Sequence, residues 1–332
     1  MPPHLLHRVA NVTSSHVLRS SESASANRIL LGENLEILPG LAGEAFQLIY
    51  IDPPFNTGKL QSRRTLQAVS DEHGERTGFQ GRRYRTRLLG ESSYRDCFED
   101  YLGFLAPRLE QARRLLRTEG TLYFHIDYRE AHHCKLLLDE IFGRDCFLNE
   151  IVWAYDYGAR SKRRWPSKHD TILVYVKDPF AYHFDSEYVD REPYMAPGLV
   201  TPEKAARGKL PTDVWWHTIV PTSGHEKTGY PTQKPEGIIR RMVQASTRPG
   251  DWCLDFFAGS GTLGAVAGKL DRRYVLIDSN PQAVEIMRAR LGADAVIDTA
   301  VDNVARPAAA GIAAGRADAA DGDMRAFDGC IT

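Results

Sequence analysis

The sequence predicts an α/β fold built on an open, mostly parallel sheet. Three observations carry the prediction. Short apolar runs alternate with segments whose apolar residues recur every three or four positions. A Gly-rich turn at 257–264 joins one such run to a helical pattern. Another apolar run stops at Pro53-Pro54, where two ladder donors are missing at once. The 332-residue length allows two domains, or one large domain with an insertion.

Taken in order, residues 1–26 are Ser-rich and aperiodic, which predicts a disordered lead-in. Strands follow at 28–31 and Phe46–Ile51. From Lys59 to Arg95 apolar periodicity is almost absent, and nine Lys/Arg against four Asp/Glu give 9 − 4 = +5. Such a stretch is expected to be a long basic loop, either functional or disordered. Phe98, Tyr101, Leu102, Leu105, Leu109, Ala112 and Leu116 then mark one face of a helix, with a kink expected at Pro107. A strand at 121–126 and a helix at 129–142 come next, the helix stopped by Gly143. Strands at 150–155 and 171–176 flank a basic stretch holding Arg160, Lys162, Arg163, Arg164 and Lys168. Residues 180–229, rich in Pro, Tyr and Trp, break the alternation. Regularity returns with a helix at 237–246, a strand at 252–256, a helix at 263–270, a strand at 274–277 and a helix at Pro281–Leu291. Past Gly292, seven Asp and three Arg among Ala and Gly predict a disordered tail over 292–332.

Composition narrows the class. Basic and acidic side chains number 42 and 43, net −1, so any nucleic-acid surface must come from local segregation of charge. Five cysteines without a Cys-x-x-Cys spacing exclude a disulfide framework and a zinc knuckle, and read as reduced thiols of a cytoplasmic protein. No apolar run approaches the roughly 20 residues of a membrane span. The first 26 residues lack the apolar stretch of a signal peptide. No metal is implied: His132, His133 and Cys134 are neighbours on a helix, where adjacent residues do not share a face.

Two motifs carry chemistry. Asp255-Phe256-Phe257-Ala258-Gly259-Ser260-Gly261-Thr262 lies where a strand feeds a helix. Glycines there let backbone approach a ligand, and the helix start offers free N–H groups. Asp278, 278 − 259 = 19 residues on, ends the next strand, where a carboxylate accepts from ribose hydroxyls. Both NAD and S-adenosylmethionine fit this much. Asp255 separates them, because an acid before the glycines repels a pyrophosphate and suits a cationic amino acid moiety. The second motif is Asp52-Pro53-Pro54-Phe55. An exocyclic nucleobase amine is a poor nucleophile, its lone pair delocalised into the ring. Acceptance of its two N–H groups by the Asp52 carboxylate and the Pro53 carbonyl draws the nitrogen toward sp³ geometry. Phe55 offers a stacking face for a base taken out of its helix.

These residues resemble the DNA amino-methyltransferases, and the catalytic-then-cofactor order resembles their β class. The segment Tyr230-Pro231-Thr232-Gln233-Lys234-Pro235 is similar to the family's stretch before the cofactor strand, and 28–34 to the strand that touches the cofactor adenine, with Glu33 in place of Asp. Phe256 stands where the family usually has Pro. The resemblance covers about 27–291. It implies a circularly permuted, Rossmann-like sheet whose catalytic half spans 27–155, target-recognition insertion 156–229 and cofactor half 230–291. It also implies S-adenosyl-L-methionine held by Asp255, Phe256, Phe257, Gly259, Ser260, Gly261, Thr262, Asp278, Glu33, Thr232, Gln233 and Lys234. The reaction implied is methyl transfer to adenine N6 in double-stranded DNA by base flipping, with cytosine N4 as the alternative. Arg82, Arg83, Arg85, Arg87, Arg163 and Arg164 are the candidate phosphate contacts. A homodimer and a cognate restriction endonuclease are partners the resemblance allows, and the location it implies is the bacterial cytoplasm, at the nucleoid. An NAD-dependent dehydrogenase would leave Asp52-Pro53-Pro54-Phe55 unexplained. A DNA-binding protein without activity would not need it, and an RNA methyltransferase would use a similar turn. The absence of a Pro-Cys pair argues against cytosine-C5 chemistry.

Overall fold

The computed structural model describes residues 26–299, apart from 57–58, 71–75, 78–82, 97, 159, 222–223 and 293–294. The strands are β1 (Asn27–Leu31), β2 (Phe46–Ile51), β3 (Lys59–Ser70), β4 (Arg76–Thr77), β5 (Arg83–Asp96) and β6 (Leu116–Ile126). They continue with β7 (Phe147–Ala154), β8 (His169–Val176), β9 (Val214–Trp216), β10 (Trp252–Asp255), β11 (Arg273–Asp278) and β12 (Ala295–Thr299). The helices are α1 (Asn34–Ile37), α2 (Tyr101–Leu115), α3 (Ala131–Phe142), α4 (Pro202–Arg207), α5 (Glu236–Ser246), α6 (Thr262–Lys269) and α7 (Pro281–Leu291).

Among the described residues the main sheet has nine strands in the order β12-β1-β11-β10-β2-β6-β8-β7-β9. β8 opposes both its neighbours, and every other pairing is parallel. β2 is buried along its whole length because helices cover both faces of the sheet. Its residues alternate between two cores. Ile49 and Ile51 join Leu105 and Leu109 of α2, whereas Leu48 and Tyr50 join Ile238 and Met242 of α5. From β10 the chain proceeds outward to β11, and from β2 it proceeds the other way to β6. The crevice at the carboxyl ends of β10 and β2 is therefore the topological switch point, where open α/β sheets bind ligands.

The basic 59–95 stretch is not a loop. β3 and β5 form a long antiparallel hairpin, extended by β4. Backbone ladders need no apolar stripe, so this element is invisible to hydrophobic periodicity, although the register sets Arg64 against Glu91 and Leu66 against Leu88. The expected disorder past Gly292 also needs correcting, since β12 pairs in parallel with β1 and extends the sheet. Residues 1–25 and 300–332, the rest of the expected lead-in and tail, lie outside the described residues. α2 continues through Pro107 as one element, its buried Leu105, Leu109, Ala112 and Leu115 compensating for one lost backbone bond. Within the irregular 180–229 segment, β9 docks on β7. Cys134, Cys146 and Cys253 are buried free thiols. Among the described residues no helix is long and apolar enough to cross a membrane.

Candidate functional site at the sheet switch point

β2 delivers Asp52 to the carboxyl edge, and the two prolines that follow end the strand. The turn is tied down on every side. Tyr101 Oη donates to the Pro54 carbonyl (2.6 Å). Asn56, at φ +52°, donates to Glu130 Oε1 (3.0 Å) and accepts from the Phe98 N–H (3.1 Å). Lys234 Nζ donates to Asp52 Oδ2 and lies 4.9 Å from the centre of the Phe55 ring. Asp52 Oδ1 is buried and has no hydrogen-bond partner among the described residues. A buried acceptor left in this way invites a donor.

Beneath Phe55 runs a polar chain inside the core. The Phe55 and His125 rings are 5.9 Å apart, and His125 is fully buried. His125 Nδ1 meets Tyr50 Oη at 3.0 Å and Nε2 meets Asp170 Oδ2 at 3.2 Å, while Tyr155 Oη donates to Asp170 Oδ1 (3.0 Å). Burial pushes the Asp170 carboxyl up, but the hydrogen bond and charge of His125, aided by Lys234, hold it below its ordinary value. Burial first, and then the nearby Asp52 and Asp255 charges, push the Tyr50 phenol well above its ordinary value.

The other half of the site grows from β10. Leu254 pairs with Ile49, so Asp255 ends its strand beside the strand that delivers Asp52. Asp255 is 3% exposed and Oδ1 accepts from the Phe257 N–H (3.0 Å). Burial, with Asp52 and Asp278 nearby, pushes its carboxyl well above the ordinary range. Gly259 and Gly261 take φ +51° and +70°, the left-handed region that glycine tolerates. A Cβ on Gly261 would stand 2.8 Å from Met287 Cγ, so the turn is drawn tight onto α7. The Gly259 N–H donates to Asp278 Oδ2 (2.7 Å), fixing the acid that ends β11, whose carboxyl is raised by burial.

The structure places the remaining expected residues unevenly. Phe257 is part-buried, 6.2 Å from Phe104. Phe256, expected to touch the cofactor, instead turns into the core at 1% exposure, and its carbonyl accepts from Asn34 Nδ2 (3.0 Å). Ser260 and Thr262 are buried and meet at 3.1 Å, and Thr262 Oγ1 donates to the Lys234 carbonyl (3.1 Å). Gln233 is buried and braces its own loop, donating to the Glu226 carbonyl (2.6 Å) and accepting from Thr228 (2.8 Å), while Thr232 is exposed. Glu33 is bound to Arg108 Nη2 (2.6 Å). Arg83, Arg163 and Arg164 are exposed, whereas Arg82 and the side chains of Arg85 and Arg87 lie outside the described residues.

Arg108, His125 and Asp170 escape a reading by motif. Arg108 sits inside the apolar stripe of α2, 6% exposed, and joins Glu33 to Asn34. A charge in a buried helical stripe was the available signal. His125 and Asp170 are polar residues in otherwise apolar strands, which was a weaker one. Tyr230, the first residue of the 230–235 motif, covers Gly259, whose Cβ would stand 3.0 Å from the ring.

The sequence profile of a family described as "DNA methylase", the N6/N4 methyltransferases, matches residues 46–289. The chain is 30% identical to the DNA adenine methyltransferase YhdJ of Escherichia coli over 274 residues, covering 80% of this chain and 83% of that protein. It is 28% identical to the type II methyltransferase M.HpaI of Haemophilus parainfluenzae over 269 residues, covering 80% and 74%. The fold is similar to that of the cytosine-N4-specific PvuII DNA methyltransferase, with a TM-score of 0.56 at 15% identity over 80% of this chain and 86% of that one. It also resembles that of M1.HpyAVI solved with SAM, with a TM-score of 0.50 at 19% identity over 80% and 98%.

Proposed function

The chain belongs to the N6/N4 DNA methylase family, and from that premise we propose that it methylates adenine N6 at a specific site in duplex DNA, by base flipping and direct in-line transfer. The methyl donor is S-adenosyl-L-methionine, which supplies an electrophilic methyl group on a sulfonium.

The donor set fits that group. Asp255 is a buried acid with one backbone hydrogen bond and a raised pKa, a site that gains from a cation. Asp278 is positioned for ribose hydroxyls, and Phe257 and Tyr230 flank the glycine turn. Glu33, held by Arg108, stands for the expected adenine end, whereas the Lys234 ammonium is turned to Asp52. The observation that carries the proposal is the convergence of Asp52 and Asp255 at the ends of adjacent strands.

The protein's part in the reaction is positioning. Asp52 and the Pro53 carbonyl accept the two N–H bonds of the amine and turn its lone pair out of the ring. Phe55, backed by His125, supports the base face. Arg83, Arg163 and Arg164 are assigned to DNA phosphates, and the 156–229 region to target recognition. Adenine is favoured over cytosine by the Asp-Pro-Pro-Phe turn and by the adenine activity in the name of the 30%-identical relative. A homodimer and a cognate restriction endonuclease complete the proposal, the first testable by light scattering.

The deciding experiment incubates the protein with methyl-labelled S-adenosylmethionine and unmethylated genomic DNA, then separates nucleosides by mass spectrometry. Labelled N6-methyladenine, lost with Asp52→Ala while cofactor binding persists, is the expected result. Labelled N4-methylcytosine would overturn the base assignment and keep the mechanism. No label in DNA would overturn the activity.

A further inference from the structure

We propose that Trp165 is a stacking wedge that enters the DNA base stack beside the flipped nucleotide; the inference rests on the base-flipping function proposed above. The indole is 95% exposed, whereas Trp153 and Trp215 are buried at 2% and 6%. Trp216, Phe180 and Met195 are exposed as well, so it is the setting of Trp165 and not its exposure alone that carries the inference.

The surroundings of Trp165 identify a partner. Residues 157–167 contain Arg160, Lys162, Arg163 and Arg164 and no carboxylate. All four cations are exposed. The one acid at the base of the loop, Asp156, is paired with Lys168 (3.7 Å). An aromatic face set among exposed cations fits a polyanion with stacking surfaces, which describes nucleic acid and not an apolar protein face.

The placement is equally specific. The loop joins the end of β7 to the start of β8, and Ala154 pairs with His169. It therefore emerges at the same sheet edge as Asp52, because β7 runs with β2 and β6. Asp170, the second residue of β8, reaches His125, and His125 supports Phe55. The loop is shaped rather than loose. Ser161 Oγ accepts from the Arg163 and Arg164 N–H groups (3.2 Å each), and the Tyr155 N–H donates to the Lys168 carbonyl (2.9 Å). Tyr128, two residues past the end of β6, packs against His169 at the loop's far end, with ring centres 6.0 Å apart. Pro166 restricts Trp165 to extended backbone. A flipped base leaves a gap in the stack, and an apolar wedge that fills it lowers the cost of the flipped state.

The test compares wild type, Trp165→Ala and Trp165→Phe on two duplexes carrying the target sequence mapped from the protein's own methylated product. One duplex is fully matched, and the other has an abasic site opposite the target base. Trp165→Ala is expected to lower kcat/KM on the matched duplex about ten- to hundredfold. On the abasic duplex, where the base is already unpaired, the loss should shrink to about threefold or less. Trp165→Phe should recover most of the activity, and cofactor affinity by calorimetry should be unchanged in both variants. Equal losses on both duplexes would overturn the wedge in favour of simple DNA affinity. No loss on the matched duplex would overturn it as well. Dissociation of a dimer by Trp165→Ala in analytical ultracentrifugation, with normal turnover, would assign the surface to a second copy of the chain instead. Failure of the underlying function would show separately, as no methyl transfer by wild type on either duplex, and would remove the wedge with it.

Discussion

Replacing Asp255 by Asn should make the protein more stable in neutral solution while weakening cofactor binding. Asp255 is 3% exposed, and burial pushes its carboxyl well above the ordinary range, with Asp52 and Asp278 adding to the shift. A raised pKa means that the folded state holds a proton which the unfolded chain has released. The stability associated with that proton is fully present below the ordinary carboxylate pKa, about 4. It is lost as pH rises toward the folded pKa. Inside that window one extra bound proton gives a slope of about −1.4 kcal/mol per pH unit. The amide of the Asp255→Asn variant would keep the acceptor for the Phe257 N–H (3.0 Å) and would not titrate. The wild-type minus variant difference, from urea unfolding between pH 5 and 8, should therefore fall by about 1.4 kcal/mol per unit until the folded pKa is passed. The same proton must leave when a cationic amino acid group binds, so wild-type cofactor affinity should rise with pH in this window, up to about tenfold per unit. The variant should bind weakly and without that dependence. Parallel unfolding curves for the two proteins would refute the argument, because Asp255 would then carry no differential proton.

Three other perturbations follow from specific contacts. Gly261→Ala must hold φ +70° with a Cβ 2.8 Å from Met287 Cγ, so left-handed strain of about 1–2 kcal/mol and overpacking of about 1–3 kcal/mol should both appear in its unfolding free energy. The cost of Gly261→Ala should be smaller in a Met287→Ala background than in the wild type, and an equal cost in both would show the contact to be irrelevant. His125→Leu removes a partner of Asp170, itself 7% exposed, and of Tyr50, and should cost about 2–4 kcal/mol while reducing kcat at saturating cofactor. A variant of wild-type stability would contradict the buried network. Burial raises the Glu236 carboxyl, but Lys269 and Arg290 outweigh it and hold the group below its ordinary value. Its stability contribution is thus present above the ordinary carboxylate pKa and lost as pH falls through the folded one. Arg290→Met should reduce acid-range curvature in a pH-stability scan, and an identical curve would count against the pairing at 2.9 Å.

The elements that were legible are those whose packing demands a pattern. β2, α5, α7 and β11 each present apolar residues at the spacing their neighbours require, and their limits fall within one or two residues of those read from periodicity. The β3–β5 hairpin was missed because its register joins polar and charged residues along most of its length, and a ladder can form without alternation. β12 was missed for a different reason. Its five residues stand at the head of an Ala- and Asp-rich tail, and only β1, more than 260 positions earlier, supplies the pairing edge.

The site divides along the same line. Asp52, Gly259, Gly261 and Asp278 could be named from the sequence because each sits at a strand end or in a tight turn. That Asp52 and Asp255 face one crevice is not local. It follows from the parallel pairing of β10 with β2, which joins residues some 200 positions apart and is set by the sheet order alone. Lys234 shows the consequence. Its motif suggests a cofactor contact, but the same topology sets its ammonium against Asp52 and over Phe55, where the target amine and ring are expected. That cation stands beside Asp52 Oδ2 and the Phe55 ring, while Asp52 Oδ1 has no partner among the described residues.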